Sequence, residues 1–368
     1  MKITAIRTIP VTVPRRPRSV PATAYSTVSV ARFVLVIVDT DDGIEGYGEA
    51  SPEYQWTGED DVTCRHFIDN YLAPALIGRD PLAVRAAAAI MERAISHNWH
   101  AKAAVEMALW DIVGKAAGLP LSELWGGRVR EAVPVKFVVS GAPDHAADLA
   151  ARLVGEGFRT IKIKTGLGYD GDLARIRAVR AAVDRRIPVG IDSNQGWTLQ
   201  QSLAALPELE QLGIAFIEQP FPRHPRKALA EFRQKSRIPL IAHESLFSLN
   251  DAMELLELRA ADIWAVTPGT HGGYLATREI LSLARAAGVP CLLGSTFELG
   301  IGSAFIGQIG LSEPALDGTV PSDLIGPFYY EEDIINEYFE LTEGAVKPPS
   351  GPGLGVTLDW AAIERYRT

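Results

Sequence analysis

IKIKTG (161–166), VGIDSNQGW (189–197), FIEQP (216–220) and LIAHES (240–245) decide the reading of this 368-residue chain. Each is a short apolar run that stops at a charge: Lys164, Asp192, Glu218 or the His243–Glu244 pair. A strand that carries its charge only at the C-terminal end is what a parallel α/β barrel enzyme needs, because its strands fill the core and its active site lies at their C-terminal rim. Positions 192, 218 and 244 are each 26 apart, an interval that suits one β/α unit. Three carboxylates converging on one rim repel each other unless a divalent cation holds them. The run therefore predicts a hard-metal site with two lysines beside it.

Working outward, apolar runs alternate with helical segments from residue 132. Strand candidates are 133–139, 159–165, 187–193, 214–219, 238–243, 262–267, 289–295 and 315–320. Strict βα alternation implies a parallel sheet, and eight strands favour a barrel over an open doubly wound sheet. No G-x-G-x-x-G follows the first strand, which weakens a dinucleotide fold. Upstream, residues 1–13 read as a strand and 30–50 as a hairpin turning at TDDG, where Gly43 can take positive φ. Residues 14–29 hold three prolines and no period, a long loop of the kind that is often functional. A second loop, 51–58, carries Tyr54, Gln55 and Trp56. Ala-rich helical stretches follow at 83–95 and 101–117. The Pro/Gly-rich tail VKPPSGPGLGVTLD (346–359) is expected to leave the barrel and pack on the N-terminal part.

Composition sets the bounds. Hydrophobic content of 47% and charged content of 22% are globular values. A net charge of −9 argues against nucleic acid as a partner. Cys64 and Cys291 are far apart with no CxxC, which suits a reducing compartment. The start, MKITAIRTIPVTV, has no apolar signal region, and no uncharged run reaches the roughly 18 residues of a membrane span. The expectation is a cytoplasmic protein without a membrane partner.

Lys162 and Lys164 are two apart on one strand, so they share a face while Ile161 and Ile163 share the other. With the isoleucines against the helices, the lysines point into the barrel, where neighbouring ammonium groups lower each other's pKa and make one a usable base. The alternative is a surface strand with two solvated lysines. Asp192 and Asn194 repeat the two-residue relation, and Pro220 stops the strand that ends at Glu218. Singly, either acid could cap the next helix. Together, on successive strands, they read as a site.

With these residues in view, the chain resembles the enolase superfamily, in particular its muconate lactonizing enzyme (muconate cycloisomerase) subgroup. KAAVEMALWDIVGKAAGLPLSELWGG (102–127), IKIKTG, IDSNQGW, IEQP and GPGLGVTLD carry the resemblance from the N-terminal part to the C-terminus. It implies a (β/α)7β TIM-like barrel at 129–339 under an N-terminal α+β capping domain at 1–128, joined by the segment 340–368. It also implies Mg2+ or Mn2+ held by three carboxylates, a small carboxylate substrate, a lysine that removes the α-proton, and a homo-oligomer. Asp192 and Glu218 match the first two metal ligands, Lys164 the base, and Lys162 the neighbour that tunes it. Loop 14–29 and residues 54–56 match the capping loops that set specificity. Arg15, Arg16 and Arg18 could meet a second acidic group there, or simply be solvated.

The pattern breaks twice. The subgroup's fifth strand ends in Asp-Glu-Ser with a metal-binding aspartate, and here His243 stands in its place. Either Glu244 takes over as third ligand, with His243 supporting from behind, or His243 binds the metal and shifts preference towards Mn2+, Fe2+ or Zn2+. The sixth strand ends in Thr267 where the subgroup has a lysine, so a two-base racemisation is disfavoured unless His271 substitutes. Single-lysine chemistry remains open: cycloisomerisation or syn β-elimination. Racemisation of an amino-acid or hydroxy-acid derivative, or a barrel reduced to a binding protein, are the alternatives. Glu298, Ser322 and Asp323 are further candidates for substrate contact, Asp323 towards an ammonium.

Overall fold

The structure is a computed structural model and describes all residues except 18, 19, 26, 28, 225 and 317. Arg18 therefore lies outside the described residues. The chain begins with an antiparallel three-stranded sheet of β1 (Ile3–Pro14), β2 (Val30–Thr40) and β3 (Glu45–Ala50), ordered β1-β2-β3. Gly43 turns the hairpin at φ +78°. Helix Trp99–Ala117 lies against β3, with most of its residues buried. The approach is so close that a Cβ on Gly48 would stand 1.9 Å from the Ala104 carbonyl oxygen. The GYGEA of β3 and the Ala-rich helix thus fit each other. Residues 51–58, read as a loop, contain a short helix at Tyr54–Thr57.

Seven parallel strands follow: β5 (Phe137–Val139), β6 (Ile161–Lys164), β7 (Val189–Asp192), β8 (Ile217–Glu218), β9 (Leu240–Ala242), β10 (Ile263–Val266) and β11 (Cys291–Leu293), hydrogen-bonded in that order. They form the curled sheet of a barrel. Its interior packs Phe216, Ile241, Ile263, Ala265 and Leu292 together with Val320. The expected first strand, 133–139, is split. Residues 133–134 form β4, which pairs antiparallel with β13 (Ala345–Lys347), itself hairpinned to β12 (Glu340–Thr342). The described residues of the expected eighth strand, 315–320, form no strand. The closing contacts come just after it: Lys136 N donates to the Ser322 carbonyl at 3.0 Å, and Asp323 N donates to the Leu293 carbonyl at 2.7 Å. Ser322 accepts the Leu293 amide on its hydroxyl, so it closes the barrel and does not face a ligand.

The C-terminal segment returns to the first sheet, with Leu354 N on Asp111 Oδ1 at 2.9 Å and Thr368 N on the Pro10 carbonyl at 3.1 Å. Two acids of the N-terminal part cap barrel helices. Glu49 accepts the amides of Leu299 and Gly302, both at 2.8 Å, at the start of helix Gly300–Ser312. Glu106 accepts the Leu275 amide at 3.0 Å at the start of helix Tyr274–Ala287. Burial pushes Glu49 up to about 8 and Glu106 up to about 7.

Candidate active site

Strand register places Lys164 beside Asp192 and Asp192 beside Glu218, one row across three neighbouring strand ends. All three side chains are buried. Lys164 Nζ donates to Asp192 Oδ2 at 2.6 Å and to Asn194 Oδ1 at 2.7 Å. Lys162 Nζ lies 3.0 Å from Glu218 Oε2, 3.0 Å from Asp323 Oδ2 and 3.5 Å from Asp192 Oδ2. The lysines do not face each other as bare like charges, which corrects the sequence expectation. Burial lowers the Lys162 pKa, but Asp323, Glu218 and Asp192 outweigh it and lift that pKa well above the usual lysine value. Glu218 is held well below the ordinary carboxylate range, because Lys162 and His243 overcome its burial.

The fifth strand ends at Ala242, and residues 243–246 turn, with Leu246 N donating to the His243 carbonyl at 2.9 Å. That bend brings both His243 and Glu244 inward. His243 Nδ1 meets Glu218 Oε1 at 2.9 Å, and Nε2 meets Thr267 Oγ1 at 2.8 Å. Both ring nitrogens of His243 are thus hydrogen-bonded, one to Glu218 and one to Thr267. The two departures from the family pattern are therefore one hydrogen-bonded unit. Gly294 at the end of β11 makes room for it: a Cβ there would stand 2.4 Å from both His243 Nε2 and Thr267 Oγ1. Glu244 Oε1 accepts from Asn194 Nδ2 at 3.0 Å and from the Tyr25 hydroxyl at 2.9 Å, whereas its Oε2 is buried without a partner. Burial, reinforced by Asp192, raises the Glu244 pKa.

His271, considered as a replacement acid/base, is caged. Its Nδ1 bonds the Phe247 carbonyl at 3.0 Å, and its Nε2 accepts the Thr267 amide at 3.1 Å. Burial pushes its pKa down to about 4. Glu298 turns away from the cavity to accept the Thr296 amide and hydroxyl, each at 3.0 Å. Asp323 reaches the cavity, but its Oδ2 is shared by Lys162 and Lys136, while Oδ1 is buried without a partner.

A cavity opens above the row, walled by Lys162, Lys164, Asp192 and Asn194 on the barrel side. From the N-terminal part come Arg15, Tyr25, Glu53 and Trp56. Trp56 sets its ring edgewise on His243, centroids 4.7 Å apart. Arg15 lies over the Phe297 ring, 5.3 Å from its centroid. Tyr54 is exposed and lines an outer groove instead. Arg16 is structural, its Nε donating to the Tyr330 carbonyl at 2.7 Å. Asn194, Gln195, Gln219 and Phe297 all have positive φ, which concentrates backbone strain at this rim. Sequence reasoning missed Lys136 and Tyr25. The first stood in an apolar strand, the second in a loop without period.

As placed, no three acids, histidines or cysteines among the described residues close into a metal cage. The lysine ammonium groups stand between the carboxylates. The donor chemistry nonetheless fits a hard cation: Asp192, Glu218 and Glu244 offer oxygen alone, and Glu244 Oε2 is a buried oxygen with nothing to bind.

Comparison with known proteins agrees with this geometry. Residues 3–126 match the mandelate racemase / muconate lactonizing enzyme N-terminal domain, and residues 145–362 match the enolase C-terminal domain-like family. A chloromuconate cycloisomerase of Cupriavidus necator is 34% identical, covering 100% of this chain and 99% of its own. An N-succinyl-L-Arg/Lys racemase of Bacillus cereus is 33% identical over 98% of this chain and 96% of its own. The crystal structure of 2-chloromuconate cycloisomerase from Rhodococcus opacus superposes over 100% of both chains with a TM-score of 0.96 and 33% identity. Members of this family depend on a divalent metal. With the capping sheet, the curled parallel barrel and full-length similarity in agreement, the chain belongs to the mandelate racemase/muconate lactonizing enzyme family of the enolase superfamily.

Proposed function

We propose that this chain moves a proton at the carbon next to a substrate carboxylate, with Lys164 as the acid/base group. The row Lys164–Asp192–Glu218 across three strand ends carries the reading. Asp192, Glu218 and Glu244 would hold the metal, and an all-oxygen set favours Mg2+, with Mn2+ next. The metal, when bound, neutralises the second negative charge that develops on the carboxylate as the α-carbon is deprotonated. Lys164 reaches the cavity floor and takes or returns the proton at that carbon. Asn194 aims the lysine through its amide oxygen and Glu244 through its amide nitrogen. His243 and Thr267 fill the sixth-strand side with a mutually bonded pair, leaving no lysine there. Trp56 and Tyr25 roof the cavity and keep water out.

One-sided proton chemistry follows, and cycloisomerisation suits it, in line with the chloromuconate cycloisomerase relative. Racemisation is the second reading, favoured by the full-length similarity to an N-succinyl amino-acid racemase. Incubation in D2O with Mg2+ separates them. Lactone formation from cis,cis-muconate or a chlorinated analogue supports the first. Deuterium incorporation with inversion in an N-succinyl amino acid supports the second and refutes one-sided transfer.

A further inference from the structure

The proton chemistry above makes no use of Lys136. This residue lies between β4 and β5 with its side chain fully buried. Its Nζ donates to the Pro321 carbonyl at 2.6 Å and pairs with Asp323 Oδ2 at 3.1 Å, above the face of Phe216. The same Asp323 oxygen pairs with Lys162 at 3.0 Å, and Lys162 passes the contact on to Glu218 and Asp192, which holds Lys164. The result is a chain of alternating charge running from beneath the barrel rim to the acid/base lysine. Burying an ammonium this deeply is costly, and burial does pull the Lys136 pKa down while Asp323 opposes it. A buried apolar residue would fill the space without that cost, so a structural role alone leaves the charge unexplained.

Charge counting suggests what it does. Lys136, Lys162 and Lys164 face Asp192, Glu218, Glu244 and Asp323, so the ionised cluster carries one net negative charge. A divalent ion turns this to one positive, a surplus that draws in a substrate carboxylate group. Without Lys136 the same cluster is neutral and has no surplus for the anion. We propose that Lys136 is an electrostatic positioning residue: it neutralises Asp323, keeps Lys162 centred between Asp323 and Glu218, and sets the surplus positive charge with which the metal-loaded site attracts a carboxylate.

This inference rests on the metal reading above, and its test separates the two. Mn2+ and malonate are titrated calorimetrically into the full chain, malonate at saturating Mn2+. In Lys136→Met, Mn2+ should bind severalfold tighter, because the cluster becomes more negative, and malonate about 10-fold weaker, on the scale of one screened charge. A merely structural defect weakens both. Lys136→Met/Asp323→Asn restores the charge balance and should move both affinities back towards wild type. Both affinities unchanged or both weakened in the single variant, or no recovery in the double, would overturn the proposal. If the wild type binds no Mn2+, the metal reading falls and this inference falls with it; Mn2+ binding intact in the wild type with both affinities unchanged in Lys136→Met overturns the inference alone.

Discussion

Gly294→Ala is a single-atom test of the Glu218–His243–Thr267 unit. The new Cβ would stand 2.4 Å from both His243 Nε2 and Thr267 Oγ1 and 2.8 Å from His243 Cε1. All three atoms belong to buried side chains, and the imidazole is fixed at one end by Glu218 and on one face by Trp56. Overpacking of this kind costs about 1–3 kcal/mol. Displacing His243 from the Glu218 carboxylate removes a hydrogen bond to a charged group, worth about 1.5–3 kcal/mol. The sum, about 3–5 kcal/mol, corresponds to a fall in Tm of about 4–6 °C for a chain of 368 residues melting in one transition. Scanning calorimetry and urea denaturation measure it. Thr267→Ala, which removes one of the three clashing atoms, should make the double variant less unstable than the sum of the singles, a coupling of at least about 0.5 kcal/mol. A Gly294→Ala protein within about 2 °C of wild type would show that Glu218, His243 and Thr267 are not locked into one unit.

Other expectations follow from the same geometry. Lys164→Ala should cut turnover by about 10³-fold or more, and near-wild-type rates would remove Lys164 from the acid/base role. Glu244→Gln should weaken Mn2+ binding by at least about 10-fold in calorimetry, whereas His243→Asn should weaken it less; the reverse order would make the histidine the ligand. His271 is neutral in the fold down to about pH 4 but takes a proton near 6.5 when unfolded. Its contribution is therefore complete above pH 6.5 and lost progressively as pH falls towards 4, about 3 kcal/mol in all. Urea midpoints should fall over that window, and His271→Gln should flatten the fall; an equally steep slope in the variant would refute the assignment.

The row of Lys164, Asp192 and Glu218 was legible in the sequence because each residue ends its own apolar run, and parallel pairing aligns run ends. Asp192 and Asn194 were legible from their two-residue spacing. His243 and Thr267 were legible only as separate anomalies. They lie 24 residues apart, and only the curl of the barrel puts one ring nitrogen on the other's hydroxyl. Lys136 left no signal, because a lysine inside VPVKFVV reads as an exposed position until the eighth segment closes over it. That segment was misplaced for a related reason: its strand pairing is a bridge at Ser322, joined by a few hydrogen bonds at Ser322 and Asp323, too short to leave an apolar period. Glu298 and His271 drew attention as polar residues near strand ends, yet their hydrogen bonds are spent on local backbone and hydroxyl groups.

Glu49 and Glu106 give the molecule a property that neither part has alone. Each leaves the N-terminal part to satisfy amides at the first turn of a barrel helix, where no intrahelical partner exists. The capping layer thus finishes the barrel's own secondary structure as well as roofing its cavity. A barrel cut free near residue 128 would expose the Leu299, Gly302 and Leu275 amides along with the apolar surface beneath helix Trp99–Ala117. Melting of the intact chain should then be one cooperative transition, and evolution can vary the roof only through the loops between these anchors.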